Sequence, residues 1–187
     1  DWQNRVLLQA PVVLAVSRWL KTWLETEIGC RNVRWVPNGV TPLRGVRERG
    51  RTALGLQEDD RVVGFVGSLK PWHGLESLAP IAHGAEAKLV LIGPSTSDIP
   101  EAICTGHLHG QALADAVAAL DVGLAPYPED APPWFCPLKV MDYRAQGTPV
   151  VGTDVGENRT LVGDGGTIVP PGDLQTMIDA TRYWIGR

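Results

Sequence analysis

The strongest constraint on the fold of this chain is a rhythm. Short, continuous apolar runs, many of them rich in β-branched residues, recur at 12–16, 33–36, 62–66, 88–92, 122–125, 149–152 and 167–169, each bounded by turn signals. Such runs suit strands that are covered on both faces. Amphipathic segments lie between many of them. Residues 17–28 open with Ser17 as a helix cap and set Trp19, Leu20, Trp23, Leu24 and Ile28 along one side. Further helices are predicted over 75–82, bent near Pro80, over 112–120, and over 174–185 behind an Asp173 cap. Alternating strands and helices specify an α/β fold with a doubly wound, largely parallel sheet. Ligands of such sheets bind beyond the carboxyl ends of the strands. The loops 67–74, 93–98, 105–111, 126–137 and 153–158 all follow predicted strands and are the places for a site.

Composition narrows the function. The 187 residues allow one sizeable core with a fragment of another domain. A net charge of -4 offers no basic field for nucleic acid. No apolar run is long enough to cross a bilayer, and the start, D-W-Q-N-R, is no signal peptide. Cys30, Cys104 and Cys136 are far apart and form no cluster with histidine, so no metal site is expected. An odd, unpatterned cysteine count fits a reducing cytoplasm. No G-x-G-x-x-G follows the first strand, which disfavours a nicotinamide enzyme. No cofactor is expected.

The stretch W-F-C-P-L-K-V-M-D-Y-R-A-Q-G-T-P-V-V, residues 134–151, carries the most chemistry. It reads as a loop, a helix with Pro137 in its first turn, a stop at Gly147 and a buried strand from Pro149. The free N–H groups of that first turn, around Pro137 and Leu138, and the positive end of the helix dipole make an anion site. Lys139 adds a positive charge beside it. Asp142 can accept two hydrogen bonds from a pair of hydroxyls. A phosphate grip next to a diol grip suits a nucleotide. Cys136 reads as a small loop residue, because a reactive thiol needs activating partners. Trp19, Trp23 and Trp35 fall on core-like positions. Trp72 and Trp134 sit in candidate site loops, with packing the favoured role for both.

A series of segments in fixed order carries a resemblance: A-V-S-R-W-L, V-P-N-G-V, G-F-V-G-S-L-K-P-W-H-G-L, L-V-L-I-G-P, G-H-L, A-A-L-D-V-G-L-A-P-Y, P-L-K-V-M-D-Y-R-A-Q-G-T-P-V-V-G-T-D and G-D-G-G-T-I-V-P-P-G-D. Together they resemble the C-terminal half of the retaining group 1 glycosyltransferases of GT-B fold. The resemblance implies a Rossmann-like, three-layer αβα domain. In that family an Arg after the glycine matched by Gly67, and a Lys before the one matched by Gly74, grip the donor diphosphate. Here those places hold Ser68 and His73, with Lys70 nearby to supply charge. The segment matched by Gly106, His107 and Leu108 lies against the nucleobase in the family. Asp142 matches a ribose-gripping glutamate. A second, sugar-facing glutamate is expected eight residues earlier, where this chain has Trp134. A branch with an aromatic-Phe-x-Pro-Leu-Lys pattern matches residues 134–139. Glu129 and Asp130 are out of register and read as solvated loop carboxylates.

The resemblance implies a donor domain for a nucleotide-diphosphate sugar of UDP or GDP type, with retaining transfer to an acceptor. The diphosphate would be neutralised by Lys139 and backbone N–H groups instead of a metal. Residues 1–16 would be the end of a crossover from a missing N-terminal acceptor domain, and 17–187 the nucleotide-sugar-binding domain. That missing half would be the partner and the route of any peripheral membrane association. The rival reading is a non-catalytic nucleotide-sugar binding or assembly module; an epimerase of the same fold ranks last.

Overall fold

A computed structural model describes residues 2–187. A first helix, α1 (Trp2–Gln9), precedes a small parallel pair, β1 (Val13–Ala15) and β2 (Val33–Trp35), joined through α2 (Arg18–Trp23) and one π-helical turn over Leu24–Ile28. Ser17 caps α2, its hydroxyl accepting the Leu20 N–H at 3.0 Å. This unit has its own core of Val13, Ala15, Leu24, Cys30 and Val33. Trp19 and Trp23 are not part of it. They are 42% and 36% exposed, which corrects the core positions that helical spacing predicts for them. Leu24 buries that face instead, with Leu20 and Ile28 packed against it.

The chain then runs through α3 (Arg47–Ala53) into β3 (Val62–Val66), a short 3-10 turn over Pro71–His73, α4 (Leu75–Gly84), β4 (Lys88–Ile92), β5 (Ile103–Cys104) and α5 (Gly110–Ala118). It ends with β6 (Val122–Ala125), α6 (Leu138–Ala145), β7 (Val150–Thr153), α7 (Asn158–Val162), β8 (Gly166–Val169) and α8 (Leu174–Ile185). The last six strands form one parallel sheet in the order β5-β4-β3-β6-β7-β8. Relative to its own first strand, that is the doubly wound order 3-2-1-4-5-6.

Alternation along the strands divides the core into two faces. Val63, Phe65, Leu89 and Leu91 point to the layer with Leu78, Ile81 and Met177 of α4 and α8. Val62, Val90 and Ile92 point to the layer with Val117, Val140 and Tyr143 of α5 and α6. Asp173 caps α8 as the sequence predicts, accepting the Thr176 N–H at 3.0 Å. Pro80 lies inside α4. Helices α1, α3 and α7 carry no strong periodic signal, and the sequence alone does not predict them. The segment before β3 is pinned by carboxylates: Asp115 accepts from Val46 N–H, Gln111 and Arg49, and Asp121 from Val62 N–H and Arg47.

Candidate functional site

The order of the strands reverses between β3 and β6. These two pair over only two positions, Val63 with Val122 and Gly64 with Gly123, and then diverge. Tyr143 fills the fork. Its phenol accepts the Val66 N–H at 3.0 Å and lies 3.2 Å from the carbonyls of Gly64 and Leu124, which share its one proton. The ring can sit there because residue 123 is glycine: a Cβ would come within 2.4 Å of the Tyr143 ring. Backbone groups that strand divergence leaves unpaired are thereby satisfied. Sheets of this order bind ligands in the crevice beyond such a fork, at the carboxyl ends of the strands.

Two loops wall the crevice. Residues 67–74 follow β3, and residues 126–137 follow β6. They meet backbone to backbone at Gly74, whose φ is 68° and where a Cβ would strike the Pro126 carbonyl oxygen. Gly67 N–H donates to Ile92 O at 2.8 Å, holding the start of the first loop to β4. His73 turns inward, its Nδ1 2.6 Å from the Ser68 carbonyl oxygen. Its ring meets Tyr127 edge-on at 5.8 Å and Phe65 at 5.6 Å. Burial and the nearby lysine charges hold the His73 pKa below its ordinary value, outweighing the Ser68 contact. The Ser68 and Lys70 side chains remain exposed.

Helix α6 points its N-terminus at this crevice. Pro137 is its N-cap and not a residue of its first turn: the extended ψ of 108° puts it just outside, and its carbonyl accepts the Val140 N–H at 3.2 Å. The N–H groups of Leu138 and Lys139 have no partner among the described residues, so they remain free for an anion. At the other end Gly147 adopts φ 72°, and Thr148 N–H returns to Tyr143 O at 3.0 Å, the stop expected from the sequence.

Lys139, the charge expected beside the anion site, is buried. It is only 6% exposed. Its Nζ donates to Tyr127 Oη at 2.7 Å and lies 4.5 Å and 4.6 Å from the centroids of the Phe65 and Tyr127 rings. No carboxylate pairs with it among the described residues. Burial in this box pulls its pKa from 10.5 down to about 7. A Cβ on Gly67 would stand 3.7 Å from Lys139 Cε, so the lysine stem lies under the Gly67 turn. The structure thus brings Gly67, His73 and Lys139 together. Phe65, Tyr127 and Tyr143 complete the group, and sequence reasoning misses all three. The Pro-Tyr pair directly after β6 is the available signal for Tyr127.

Leu138 and Asp142 lie on a different flank of α6. They line a separate cavity of about 270 Å³ with Gly39, Val40, Thr41, Leu43, Gly110 and Leu113. Burial raises the Asp142 pKa above the ordinary carboxylate value. Asp142 thus opens into its own cavity beside Leu138, whose N–H belongs to the anion site, while the Lys139 amine lies in the aromatic box. Gly106 has φ 71°; its N–H donates to Pro94 O at 2.8 Å and its carbonyl accepts from Gly93 N–H at 3.0 Å. Its backbone is committed within the protein. The N–H groups of His107 and Leu108 are uncommitted, the His107 side chain is exposed, and Leu108 packs partly on the core.

Trp134 is 49% exposed and stacks at a tilt on Trp19 with centroids 5.8 Å apart, so it is not a packing residue of the core. Trp72 is exposed as well. The Trp134 carbonyl accepts from Ser17 Oγ at 2.8 Å, and Asn38 N–H reaches Cys136 Sγ at 3.4 Å. The small sheet is thereby tied to the loop that leads into α6. Cys136 is buried, and burial raises its thiol pKa, consistent with the unreactive role expected of it. Cavities of about 820 and 1060 Å³ lie at the N-terminal ends of the strands, away from these residues, and one of about 420 Å³, lined by Glu129, Pro133, Asp154 and Arg159, lies between the loops after β6 and β7. No group of three or more metal-ligating side chains occurs among the described residues, and no helix there is long and apolar enough to cross a membrane.

Comparison with known proteins gives the relatives of this chain. The family described as "Glycosyl transferases group 1" matches residues 60–186. A GDP-mannose-dependent alpha-mannosyltransferase of Mycolicibacterium smegmatis is 37% identical over 107 residues, covering 54% of this chain and 28% of the relative. Its namesake in Corynebacterium glutamicum is 30% identical over 133 residues, covering 67% and 31%. Among solved structures, sucrose-phosphate synthase from Thermosynechococcus elongatus superposes with a TM-score of 0.79 at 23% identity, over 98% of this chain and 51% of its own. Anabaena Alr3699/HepE, solved in complex with UDP-glucose, gives 0.77 at 20% identity, over 97% and 56%. The chain spans about a third of the length of these curated relatives and about half that of the structural neighbours.

Proposed function

The chain belongs to the group 1 glycosyltransferase family, and from that premise we propose that it is the donor half of such an enzyme, binding a nucleotide-diphosphate sugar at the switch-point crevice. The observation that carries this reading is Lys139: a buried amine without a carboxylate partner, under the Gly67 turn and beside two free N–H groups of α6. Such an arrangement suits a diphosphate. It also accounts for the departures from the family pattern. The charge absent at Ser68 and His73 comes from a different element, α6. Asp142, in its own cavity, would take the ribose hydroxyls, and the free N–H groups of His107 and Leu108 the base. Relatives that use GDP-mannose and a neighbour that holds UDP-glucose support a GDP- or UDP-sugar donor.

Chemically, the crevice stabilises a leaving diphosphate. Negative charge grows on the bridging and terminal oxygens as the sugar departs, and preorganised N–H donors and an ammonium in a dry site favour that charge. Retaining transfer and an acceptor site in a second domain are what the family resemblance implies, and the free cysteines fit a cytoplasmic setting. The division into a crossover segment, residues 1–16, and a nucleotide-sugar-binding domain, residues 17–187, is part of the same proposal. Trp134, exposed where a sugar-facing carboxylate is expected, favours a second reading, a binding module without catalysis. Thermal-shift titration with UDP, GDP, ADP and TDP tests the first claim. A ligand at a hundred times its Kd stabilises by about 2.7 kcal/mol; no shift with any of the four contradicts nucleotide binding. Transfer by a protein that includes the other half then separates enzyme from module.

A further inference from the structure

We propose that Tyr127 is the positioning residue of this site: its hydroxyl holds the Lys139 amine in place in both protonation states, so that the diphosphate is bound together with a proton from solvent. The inference rests on the donor-half reading and deepens it. A lysine ammonium has three N–H donors, and here Tyr127 Oη accepts one of them, at 2.7 Å. The other two have no partner among the described residues. The rings of Phe65 and Tyr127 shield them from water. A phenol suits this task, because it can accept from the ammonium and donate to the neutral amine. A carboxylate in the same place would neutralise the lysine and repel the diphosphate.

The tyrosine is itself fixed. Thr153 Oγ1 donates to its carbonyl at 2.7 Å, and its ring packs at a tilt on the Phe135 ring, 4.5 Å away between centroids. Phe135 belongs to the same loop, two residues before the Pro137 cap of α6. The hydroxyl is therefore aimed at Nζ by its backbone, its ring and the helix that bears the lysine.

Every titratable or charged group facing the amine has a place in this scheme. Tyr127 and His73 face it from the two loops, with Lys70 beyond His73, and Asp142 and Tyr143 follow on α6 itself. Burial holds the His73 pKa below its ordinary value, and loss of the pH dependence in Lys139→Met is what assigns that dependence to the lysine. When a diphosphate arrives at a neutral amine, one proton moves from buffer to Nζ. The N–H donors then face phosphate oxygens, and no covalent bond forms or breaks between protein and ligand.

The test is calorimetric titration of the 187-residue chain with GDP-mannose from pH 6.5 to 8.5, in buffers of different ionisation enthalpy. A nucleotide sugar is chosen because its diphosphate has no terminal phosphate monoester to titrate near pH 6. The expected result is proton uptake approaching one per ligand at the upper end, with affinity falling roughly 25-fold across the range. Tyr127→Phe should weaken binding about tenfold at pH 8 and move the fall to lower pH. Lys139→Met should bind weakly and without pH dependence. Flat affinity without proton uptake in the unaltered chain overturns the proposal. So does a folded Tyr127→Phe with an unchanged pH profile. If Tyr127→Phe does not fold, proton uptake by the unaltered chain and its loss in Lys139→Met decide. Absence of binding by both GDP-mannose and UDP-glucose is a different failure, that of the donor-half reading itself.

Discussion

Replacing Lys139 by methionine should stabilise the free chain at low pH while removing its grip on diphosphate. The folded amine titrates near 7 instead of 10.5, which places a penalty of about 5 kcal/mol on the charged form when it is fully protonated in both states. Methionine keeps most of the volume and removes that penalty. It also leaves the Tyr127 hydroxyl without its partner, which costs about 2 kcal/mol. The net gain is about 3 kcal/mol at pH 6. The sign then changes with pH. Between 7 and 10.5 the unfolded chain binds more protons than the folded one, so the stability of the lysine form rises through that window. Near pH 10.5 most of the penalty is gone, the lost hydrogen bond dominates, and the methionine form should be the less stable by up to about 2 kcal/mol. Urea denaturation of both proteins at pH 6, 8 and 10 measures the difference. A difference independent of pH, or destabilisation by methionine at pH 6, refutes the assignment of Lys139 as a buried, unpaired amine.

Other sites give independent tests. Gly74→Ala should destabilise by more than about 2 kcal/mol, combining an unfavourable left-handed backbone with the Pro126 clash; urea midpoints read this directly. Gly123→Ala should displace the Tyr143 ring and lower stability by about 1–3 kcal/mol, with a fall in the melting temperature. Asp142→Ala should weaken a ribonucleotide by about 1–3 kcal/mol and leave a 2′,3′-dideoxyribonucleotide nearly unaffected, as paired titrations would show.

Most of the sheet is legible in the sequence because its strands are buried on both faces. The runs at 62–66 and 88–92 leave no alternative to a covered strand, and the loops after them fall at the ligand end as expected. Asp173 and Gly147 mark helix ends by local chemistry alone, and both act in that way. The departures come from tertiary context. Helical spacing groups Trp19 and Trp23 with Leu24, but a change to π-helical winding after Trp23 and the small size of the two-stranded sheet leave both rings at the surface. The sequence shows the charge of Lys139 and not its surroundings: Phe65 from β3 and Tyr127 from the loop after β6 close over the amine only in the folded chain. Asp142, one helical turn after Leu138 and Lys139, stays next to the anion site but faces a cavity distinct from the aromatic box around the Lys139 amine.

The central claim is that the crevice between β3 and β6 binds a nucleotide-diphosphate sugar through Lys139 and the N-terminus of α6. Calorimetric titration of GDP-mannose and UDP-glucose into the chain and its Lys139→Ala variant at pH 7 tests it most directly. The account predicts one site per chain for at least one of the two donors, weakened in the variant by about 1.5–3 kcal/mol. Equal affinity in both proteins would contradict it.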